Sequence, residues 1–428
     1  MKQNIDELKM LGVYQQRNKQ YFMQRLKICG GRITIPQWRK VAELAITYSD
    51  GYPLHLTTRQ DIELHYIKFD NICDVQQGLY QVGLNTYGAC GDSIRNITVS
   101  TSCSHTNYRL DVVPIAQFIQ INLRHMVTNY SLPRKFKIAF SGCPKGCGKP
   151  YINDLGFIAQ ENKLFKVIGA GSLGAKPNLG IELYNNLPSR DVLPLCIAAI
   201  NFFANHGNRE NRSRARFRHI REAMGDDKFK ASLDAYFKKT RKSKPWPDCT
   251  LPLCPPEQKL QTLQMPDGNI TPNDAFVLAD YAEQSEATIR INSEHGLELF
   301  GQREVSPPPE LTKYTNNPLI VACPGYPTCP RGLADTCAAA NLIRENLSNK
   351  QLKGLTIHIS GCPNNCAQSS IADIGLIGMV RKKDGQPQQA YKVLIGGGNG
   401  RNNILAQHTD TVFTDELLKS LNKLILSK

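Results

Sequence analysis

Two kinds of hydrophobic pattern alternate along the chain and predict alternating helices and strands. In "IPQWRKVAELA" (35–45), apolar residues recur near the helical period, and a proline stands at the start, where a missing N–H does no harm. The next segment, "LHLTTRQDIELHYI" (54–67), alternates apolar and polar positions as a strand does. The same succession recurs at 267–282 and 287–301. The pattern predicts an α+β fold with mixed or antiparallel sheets.

These stretches are part of an internal repeat. The segment "FSGCPKGCGKPYINDLGFI" (140–158) matches "ISGCPNNCAQSSIADIGLI" (359–377) at an offset of 219 residues, and a glycine cluster follows each copy, at 167–174 and 393–400. Chance rarely produces three such matches in the same order, so the sequence indicates two homologous halves. Residues 238–258 are rich in proline and lysine and are typical of a linker between the halves.

Length and cysteine usage limit the class of protein. The 428 residues are enough for two or three domains, and no run of about 18 apolar residues predicts a membrane span. The polar N-terminus lacks the apolar core of a signal peptide, so we expect a cytoplasmic protein. In that compartment, metal binding explains clustered cysteines better than a disulfide framework does. Cys249 and Cys254 lie in the linker without a second pair and are interpreted as incidental.

The formal net charge of +15 points to a nucleic acid, an acidic protein or a polyanionic cofactor as partner, with solubility alone as the plain alternative. Basic residues far outnumber acidic ones between 209 and 244, a pattern that by itself is typical of a solvated helix face. The sequence shows neither zinc-finger spacing nor an aromatic ribonucleoprotein motif. We therefore expect no nucleic acid partner and no membrane partner.

Two cysteine pairs in the second half form a candidate metal site. Cys323 and Cys329 have the spacing C-x5-C, and Cys362 and Cys366 have the spacing C-x3-C. Four thiolates can hold a tetrahedral zinc ion or a [4Fe–4S] cluster. Structural zinc sites favour C-x2-C, so the wider spacing, with proline and glycine in both loops, favours the cluster. Zinc stays open as an alternative.

With these motifs inside two homologous halves, the chain resembles the siroheme-dependent sulfite and nitrite reductases, from about residue 20 to about residue 405. The resemblance implies two pseudo-symmetric halves, each a small ferredoxin-like subdomain followed by an α/β siroheme–[4Fe–4S] domain. It also implies that the four cysteines bind the cluster and that Cys366 bridges it to the siroheme iron. The other shared motifs are "FMQRLKICGGRIT" (22–34), "LTTRQ" (56–60), "GDSIRNI" (91–97), "LPRKFK" (132–137), "INDLGFIA" (152–159), "HGNRENRSRAR" (206–216) and "IADIGLIG" (371–378).

The resemblance and the repeat together predict the domain boundaries. The first half has a ferredoxin-like domain at 1–85 and a reductase domain at 86–240. A linker at 241–257 leads to a second ferredoxin-like domain at 258–312, and the cluster-binding domain occupies 313–428.

The resemblance also assigns two sets of cofactor and substrate contacts. Siroheme carries eight carboxylates, and burying them requires many cationic and hydrogen-bonding groups, which gives the basic composition a physical reason. Four distal cations face the substrate in this family, and Lys135 and Lys137, two residues apart on a strand, point to the same face. The distal cations are Arg59, Arg95, Lys135 and Lys137, and the siroheme contacts are Thr57, Thr58, Gln60, Asn96, Arg134, Asn364, Gly396, Gly397, Gly398 and Arg401.

The substrate is sulfite or nitrite, each of which takes six electrons. Nitrite reductases of this family often carry Asn where this chain has Lys137, and a second lysine suits the more highly charged sulfite. The segment 326–330 resembles the sulfite type, whereas 364–387 is closer to the nitrite type. We favour sulfite, with nitrite as the alternative. A precorrin-3B synthase, or an iron–sulfur electron carrier without catalysis, is a further alternative.

The electron donor is expected to be a separate protein. The sequence has no C-x2-C-x2-C run, and "GAGSLG" (169–174) is a weak dinucleotide motif because it matches the glycine cluster of the other half. A basic enzyme suits an acidic ferredoxin or flavodoxin, and a flavoprotein subunit is the other candidate.

The first half retains part of a cysteine site. Cys143 and Cys147 repeat the C-x3-C pair, and Cys103 corresponds to Cys323, but Arg109 stands where the fourth cysteine would be. We interpret these residues as a pseudo-symmetric remnant. A second cluster that recruits Cys90 as its fourth ligand is the alternative.

Overall fold

The computed structural model describes residues 5–101, 110–129, 131–247 and 258–426. Within these ranges, no helix has the length and apolar character that crossing a membrane requires. The helices are α1 (Ile5–Met10), α2 (Ile35–Tyr48), α3 (Ile72–Gln81), α4 (Val113–Asn122), α5 (Arg124–Asn129), α6 (Val192–His206), α7 (Phe217–Met224), α8 (Asp226–Lys242), α9 (Pro272–Gln284), α10 (Pro309–Thr312), α11 (Gly325–Thr328), α12 (Thr336–Asn346), α13 (Asn349–Leu352) and α14 (Leu417–Leu426).

The strands build four sheets, with the orders β1-β2-β5-β4-β12, β11-β14-β13-β3, β10-β9-β8-β7-β6 and β15-β16-β17-β18-β19. Their bounds are β1 (Val13–Gln15), β2 (Tyr21–Leu26), β3 (Arg32–Ile33), β4 (Leu54–Leu56), β5 (Ile62–Lys68), β6 (Thr98–Val99), β7 (Ile138–Ser141), β8 (Leu155–Ala159), β9 (Leu164–Gly169), β10 (Ile181–Pro188), β11 (Gln258–Gln264), β12 (Asn269–Ile270), β13 (Thr288–Ile291), β14 (Gly296–Gly301), β15 (Ile320–Ala322), β16 (Ile357–Ser360), β17 (Ile374–Lys383), β18 (Gln386–Ile395) and β19 (Gln407–Phe413).

The two small sheets exchange one strand each. Strand β3 of the first half pairs with β13, where Ile33 lies opposite Ile289, and β12 of the second half pairs with β4, where Ile270 lies opposite Leu54. Helices α2 and α9 pack together over the shared core, and the Trp38 indole N–H donates to the carbonyl of Ala275 at 2.8 Å. The two ferredoxin-like regions therefore form one interlocked body.

Both predicted helices of this body begin with a capping residue and a proline. Thr34 caps α2 in a capping box with Gln37, and Thr271 caps α9 by accepting from the N–H of Asp274. The proline in the first turn loses no hydrogen bond there. These helices were predicted from the hydrophobic period, and the structure confirms them.

The single strand predicted over 54–67 is wrong. The structure divides it into β4 and β5, with a turn between them in which the Thr57 hydroxyl accepts from the N–H groups of Arg59 and Asp61. Gln60 adopts a left-handed conformation with φ 60°. The region at 287–301 likewise divides into β13 and β14, and His295 has φ 62° in the turn. A polar run with a hydroxyl able to bond nearby N–H groups favours a turn over a continuous strand.

The two large sheets have the same topology. In the first half, β6, β7 and β8 are parallel, and β9 and β10 complete the sheet in antiparallel fashion. In the second half, β15, β16 and β17 are parallel and β18 and β19 antiparallel. The first of these sheets packs against the buried, apolar helix α6. The prediction of an α+β fold with two pseudo-symmetric halves is confirmed.

The repeated C-x3-C segments fold into equivalent turns. The Ser141 hydroxyl accepts from the N–H of Gly148 at 2.9 Å, and the Ser360 hydroxyl accepts from the N–H of Ala367 at 3.1 Å. A left-handed residue follows in each half, and then a short 3-10 turn, Pro150–Ile152 or Ser369–Ile371. Sequence repetition therefore reproduces the backbone of this loop.

The structure also bears on the predicted dinucleotide motif, the linker and the domain boundaries. Strand β9 ends at Gly169 and the next element is β10, so no helix follows "GAGSLG" to form a dinucleotide site. Helix α8 extends to Lys242, inside the predicted linker, and residues 248–257, with Cys249 and Cys254, lie outside the described residues. The domain boundaries stay a prediction.

Candidate active site

A cavity of about 2640 Å³ lies between the two halves. The first half contributes basic and hydroxyl side chains to its wall, and the second half contributes thiols. The cavity therefore joins the two motif sets that the sequence singled out. The predicted site residues that line it are Thr57, Thr58, Arg59, Arg95, Arg134, Lys135, Lys137, Cys323, Cys329, Cys362, Asn364 and Cys366.

The four cysteines line one cavity because their loops leave the same edge of one sheet. Cys323 follows β15 and Cys362 follows β16, and these strands are parallel neighbours whose carboxyl ends lie together. The N–H of Gly361 donates to the Cys323 sulfur at 3.2 Å. Cys329 and Cys366 lie further along the two loops and also face the cavity.

The thiols lie within electrostatic reach of one another. Burial raises the pKa of Cys329 to about 11, and the neighbouring Cys366 contributes to that increase. Burial also raises the pKa of Cys323 and of Cys362, again with a contribution from Cys366. Negative charges on neighbouring thiolates repel each other, so the free thiols stay protonated. A positively charged metal centre offsets this repulsion and binds them as thiolates. The donor set therefore fits a site that holds several metal charges.

Lys135 and Lys137 face the cavity from one wall. They flank Phe136, which is buried and whose backbone forms a parallel bridge with Ile94. Strand β7 starts only at Ile138, so the predicted alternation holds in an extended segment just ahead of the strand.

Arg59 and Arg95 are held by oxygen acceptors of the first half. Arg59 donates through Nη1 to Asn153 Oδ1 at 3.0 Å. Arg95 donates through Nη1 to the carbonyl of Ala89 at 2.5 Å and through Nη2 to that of Gly91 at 2.6 Å. These bonds fix both guanidinium groups at the cavity wall before any ligand binds.

The cations at this wall disfavour each other's charge. Burial, with contributions from Arg95 and Arg216, lowers the pKa of Lys135 to about 7. Burial also lowers the pKa of Lys137, with Arg59 and Lys135 as additional causes. A bound anion would relieve this repulsion and favour the ammonium forms, so the wall fits an anionic ligand.

One buried ion pair supports the cations from behind. Asp154 is 0% exposed and accepts two bonds from Arg216 Nη2, through Oδ1 at 3.1 Å and Oδ2 at 2.9 Å. Oδ2 also accepts the backbone N–H of Lys137 at 2.8 Å. Arg216 lines the cavity and is a fifth cation beside the four that were predicted.

Comparison with known proteins places this architecture in a family. The family model described as "Nitrite and sulphite reductase 4Fe-4S domain" matches residues 90–241 and 315–427. The model described as "Nitrite/Sulfite reductase ferredoxin-like half domain" matches residues 14–82. The chain belongs to the nitrite and sulfite reductase family. The family prediction is confirmed, including its ferredoxin-like component.

Individual relatives of this reductase carry names for either substrate. The assimilatory ferredoxin-dependent nitrite reductase of Haloferax mediterranei is 29% identical, over 92% of this chain and 77% of the relative. A sulfite reductase [NADPH] hemoprotein beta-component of Acidithiobacillus ferrooxidans is 27% identical, over 99% and 87%. The solved structure of the Mycobacterium tuberculosis NirA protein has a TM-score of 0.82 and 23% identity, covering 100% of this chain and 88% of that one. That last likeness shows the fold alone.

Family membership decides between the cofactor alternatives. The reductase is an oxidoreductase with siroheme and a [4Fe–4S] cluster, and it reduces nitrite or sulfite. The zinc alternative is therefore wrong. The prediction of an enzyme with these two cofactors is confirmed.

The residues present fit both cofactors. The four thiols at one cavity wall and the backbone N–H that donates to a sulfur suit a cluster. The Nε atoms of Arg59, Arg95 and Arg216 are buried without a hydrogen-bond partner in the described part of the chain. A polycarboxylate macrocycle supplies acceptors for such donors, and the cavity is large enough to admit it.

Four predicted siroheme contacts lie at the wall. The Thr57 hydroxyl shapes the β4–β5 turn, and the Thr58 hydroxyl donates to the carbonyl of Cys366 at 2.9 Å. Arg134 donates to Asp92 at 2.9 Å, and Asn364 lies against the Cys362 thiol. Their contact with siroheme stays a prediction.

The other predicted contacts do not reach the cavity. Gln60 is buried and bonds to the backbone of Val99 and Ile291, and Asn96 donates to the carbonyls of Ile28 and Arg59. Both amides instead fix the turn that presents Arg59. The residues of the glycine cluster and its arginine also lie off the wall, since this loop packs on the turn after the cysteines; they are Gly396, Gly397, Gly398 and Arg401.

The first-half cysteines remain an untested prediction. The sulfurs of Cys143 and Cys147 are 3.5 Å apart, and Cys90 is buried near the charges of Arg25 and Arg95. Cys103 lies outside the described residues, as does Arg109. Among the described residues, no group of three or more His, Cys, Asp or Glu side chains is arranged around a single metal ion.

Sequence reasoning missed the Asp154–Arg216 pair. It interpreted the basic segment 209–244 as a solvated face, but Arg218 and Arg221 are buried and Arg216 is paired inside the protein. One feature of the sequence could have indicated this. Residues 206–216 are a motif shared with the family, and a merely solvated helix face would not need to match a family motif.

Proposed function

We propose that the reductase converts sulfite to sulfide, with six electrons and six protons consumed and three water molecules released. Siroheme, when bound, would supply the iron that holds the substrate. The cluster would supply the electrons. The observation that carries the proposal is the second lysine, Lys137, which faces the cavity beside Lys135 with Asp154 fixed behind it. Sulfite has a higher charge than nitrite at neutral pH, so a further cation favours it.

The side chains at the cavity have three tasks in this proposal. Arg59 and Arg95 are already fixed by protein acceptors, so they provide charge without reorganisation. Lys135 and Lys137 have lowered pKa values because they are buried among other cations, and they can give protons to oxygens that leave as water. Cys366 lines the same cavity, and its thiolate would be a ligand of the cofactors.

Nitrite is the second candidate. Relatives that are named as nitrite reductases match most of the chain, and the segment after Cys362 resembles that type. Nitrite is smaller and singly charged, so it would gain less from Lys137 than sulfite would. The two candidates therefore differ in how strongly they depend on this lysine.

Replacing Lys137 by Asn tests the choice of substrate. We expect kcat/KM for sulfite to fall by about tenfold or more, since a charge-assisted hydrogen bond contributes about 1.5–3 kcal/mol, and we expect nitrite to lose less. The ratio of nitrite to sulfite kcat/KM should therefore rise. Sulfide and ammonia are measured with reduced ferredoxin as electron donor, since the net charge of +15 suits an acidic partner. An unchanged ratio would contradict the preference for sulfite.

A pH profile tests Lys135. Its pKa is lowered to about 7, so the ammonium is present at lower pH and is lost as the pH rises through that value. We expect kcat/KM for sulfite to fall above about pH 7, and Lys135→Arg to flatten this decline because arginine stays protonated. Sulfite also ionises in this range, but equally for both enzymes, so the difference between their profiles isolates the side chain. Identical profiles would exclude Lys135 as the titrating group.

A further inference from the structure

The loop that repeats the C-x3-C motif in the first half ends at a buried lysine. Lys149 is 4% exposed, adopts a left-handed conformation with φ 57°, and lies two residues after Cys147. A lysine is seldom buried without a specific partner. The side chain therefore needs an explanation that the predicted remnant of a cluster site does not give.

The ammonium group of Lys149 bonds to the equivalent loop of the second half. Nζ donates to Gln368 Oε1 at 3.0 Å, and Gln368 lies 219 residues further on, two residues after Cys366. Nζ also lies 3.5 Å from the carbonyl of Ser293 and 3.5 Å from Glu294 Oε1. The two left-handed residues of the repeat thus meet each other where the halves join.

From Gln368 the contacts continue to the cysteine. Gln368 Nε2 donates to the carbonyl of Thr58 at 3.3 Å, and the Thr58 hydroxyl donates to the carbonyl of Cys366 at 2.9 Å. Each atom in this sequence is buried or partly buried. The position of the Cys366 backbone is therefore linked to Lys149 through two side chains.

A second set of contacts runs from Lys149 to the distal cations. Its carbonyl accepts from Asn153 Nδ2 at 2.8 Å, and Asn153 Oδ1 accepts from Arg59 Nη1 at 3.0 Å. Arg59 belongs to the same turn as Thr58. Lys149 consequently contacts the loop of the assigned thiolate directly, at Gln368, and an assigned substrate cation through one intermediate, Asn153.

We propose that Lys149 is a positioning residue that fixes the Cys366 loop relative to Arg59, and that the first-half cysteine loop has been retained for this purpose. The proposal rests on the proposed function in its assignment of Cys366 and Arg59. Removing the ammonium leaves Gln368 Oε1 and the Glu294 carboxylate without their buried donor, which favours local opening.

A double-mutant cycle with Lys149→Met and Gln368→Met tests this network in the cofactor-free chain. Methionine keeps the length of the side chain and, like lysine, is unbranched at Cβ, so the backbone cost of φ 57° is similar and the change is mainly one of charge and hydrogen bonding. We expect backbone amides of 359–371 to exchange hydrogen about tenfold faster in each single variant. The amides of the double variant should exchange no faster than those of the faster single variant, because both substitutions remove the same contact between Lys149 and Gln368.

The control is Lys145→Met, an exposed lysine in the same loop. We expect it to leave this exchange unchanged, and Lys149→Arg to restore most of the protection that Lys149→Met loses. In the cofactor-loaded enzyme, the absorption maximum and midpoint potential should move with Lys149→Met and return with Lys149→Arg. A purely structural role elsewhere would lower stability without these shifts.

The proposal would be overturned if the increase in exchange rate in the double variant equalled the product of the two single increases. Lys149 would then not act through Gln368. Unchanged exchange in Lys149→Met would overturn it as well. If Lys149→Met does not fold, Gln368→Met alone decides by the same exchange measurement. Since hydrogen exchange requires neither substrate nor turnover, a failed sulfite assay would not affect this result.

Discussion

Replacing Cys366 by Ser is expected to remove the siroheme and cluster absorption together and to reduce turnover to background. The thiol faces the cavity, lies within electrostatic reach of the other three cysteines, and contributes to the electrostatics of Lys135 across the cavity. A residue in this position can serve both metal centres. A serine hydroxyl stays protonated at neutral pH and is a poor ligand for iron, so both centres should lose it at once.

The repeat provides a matched control for this experiment. Cys147 is the equivalent of Cys366 in the first half, in the same turn and half-buried. We expect Cys147→Ser to keep both absorption bands, because the predicted remnant site carries neither cofactor. Optical spectra of the two purified variants, with iron and sulfide analysis, make the comparison. A Cys366→Ser enzyme with full absorption in both regions would contradict the bridging role.

Local signals account for what could be predicted. Thr34 and Thr271 precede a proline and an amphipathic segment, and both helices begin there. The cysteine spacing defined the candidate ligand set because each pair lies within one loop. Repetition of the C-x3-C segment in the sequence reproduced the same turn in space, down to the serine that accepts an N–H in each copy. Such features depend on a few neighbouring residues, so sequence patterns report them directly.

Contacts between distant segments could not be predicted in this way. The exchange of β3 and β12 joins residues more than 200 positions apart, and no local pattern marks it. Lys149 and Gln368 look like ordinary loop residues until the halves meet. Gln60 was assigned to siroheme by motif, and its amide donates to the carbonyls of Val99 and Ile291, two segments distant in sequence. No motif indicates these bonds, because they depend on how the distant segments pack.

Replacing Asp154 by Asn is expected to have the second large effect, on both stability and anion reduction. Asp154 is fully buried and bonds to Arg216 and to the backbone of Lys137. Without its charge, Arg216, whose side chain is only 11% exposed, becomes an uncompensated cation, which costs about 3–5 kcal/mol of unfolding free energy. The pKa of Lys137, already lowered by burial and by Arg59, should fall further, because Asp154 is a group that raises it. We expect kcat/KM for sulfite to drop by about 100-fold, a typical loss for one preorganised electrostatic group.

The pseudo-symmetric residue Asp373 distinguishes this effect from a general loss of a hydrogen-bonded carboxylate. It accepts from the N–H and hydroxyl of Thr356 at 3.0 and 2.7 Å, and no cation pairs with it among the ion pairs of the described residues. Asp373→Asn should therefore cost only about 1–3 kcal/mol in unfolding free energy and leave kcat/KM for sulfite nearly unchanged. Chemical denaturation and steady-state kinetics of the two variants give the comparison. If both carboxylates prove equally dispensable for sulfite reduction, the charge of Asp154 does not support the lysines, and the fifth cation has no part in holding the anion.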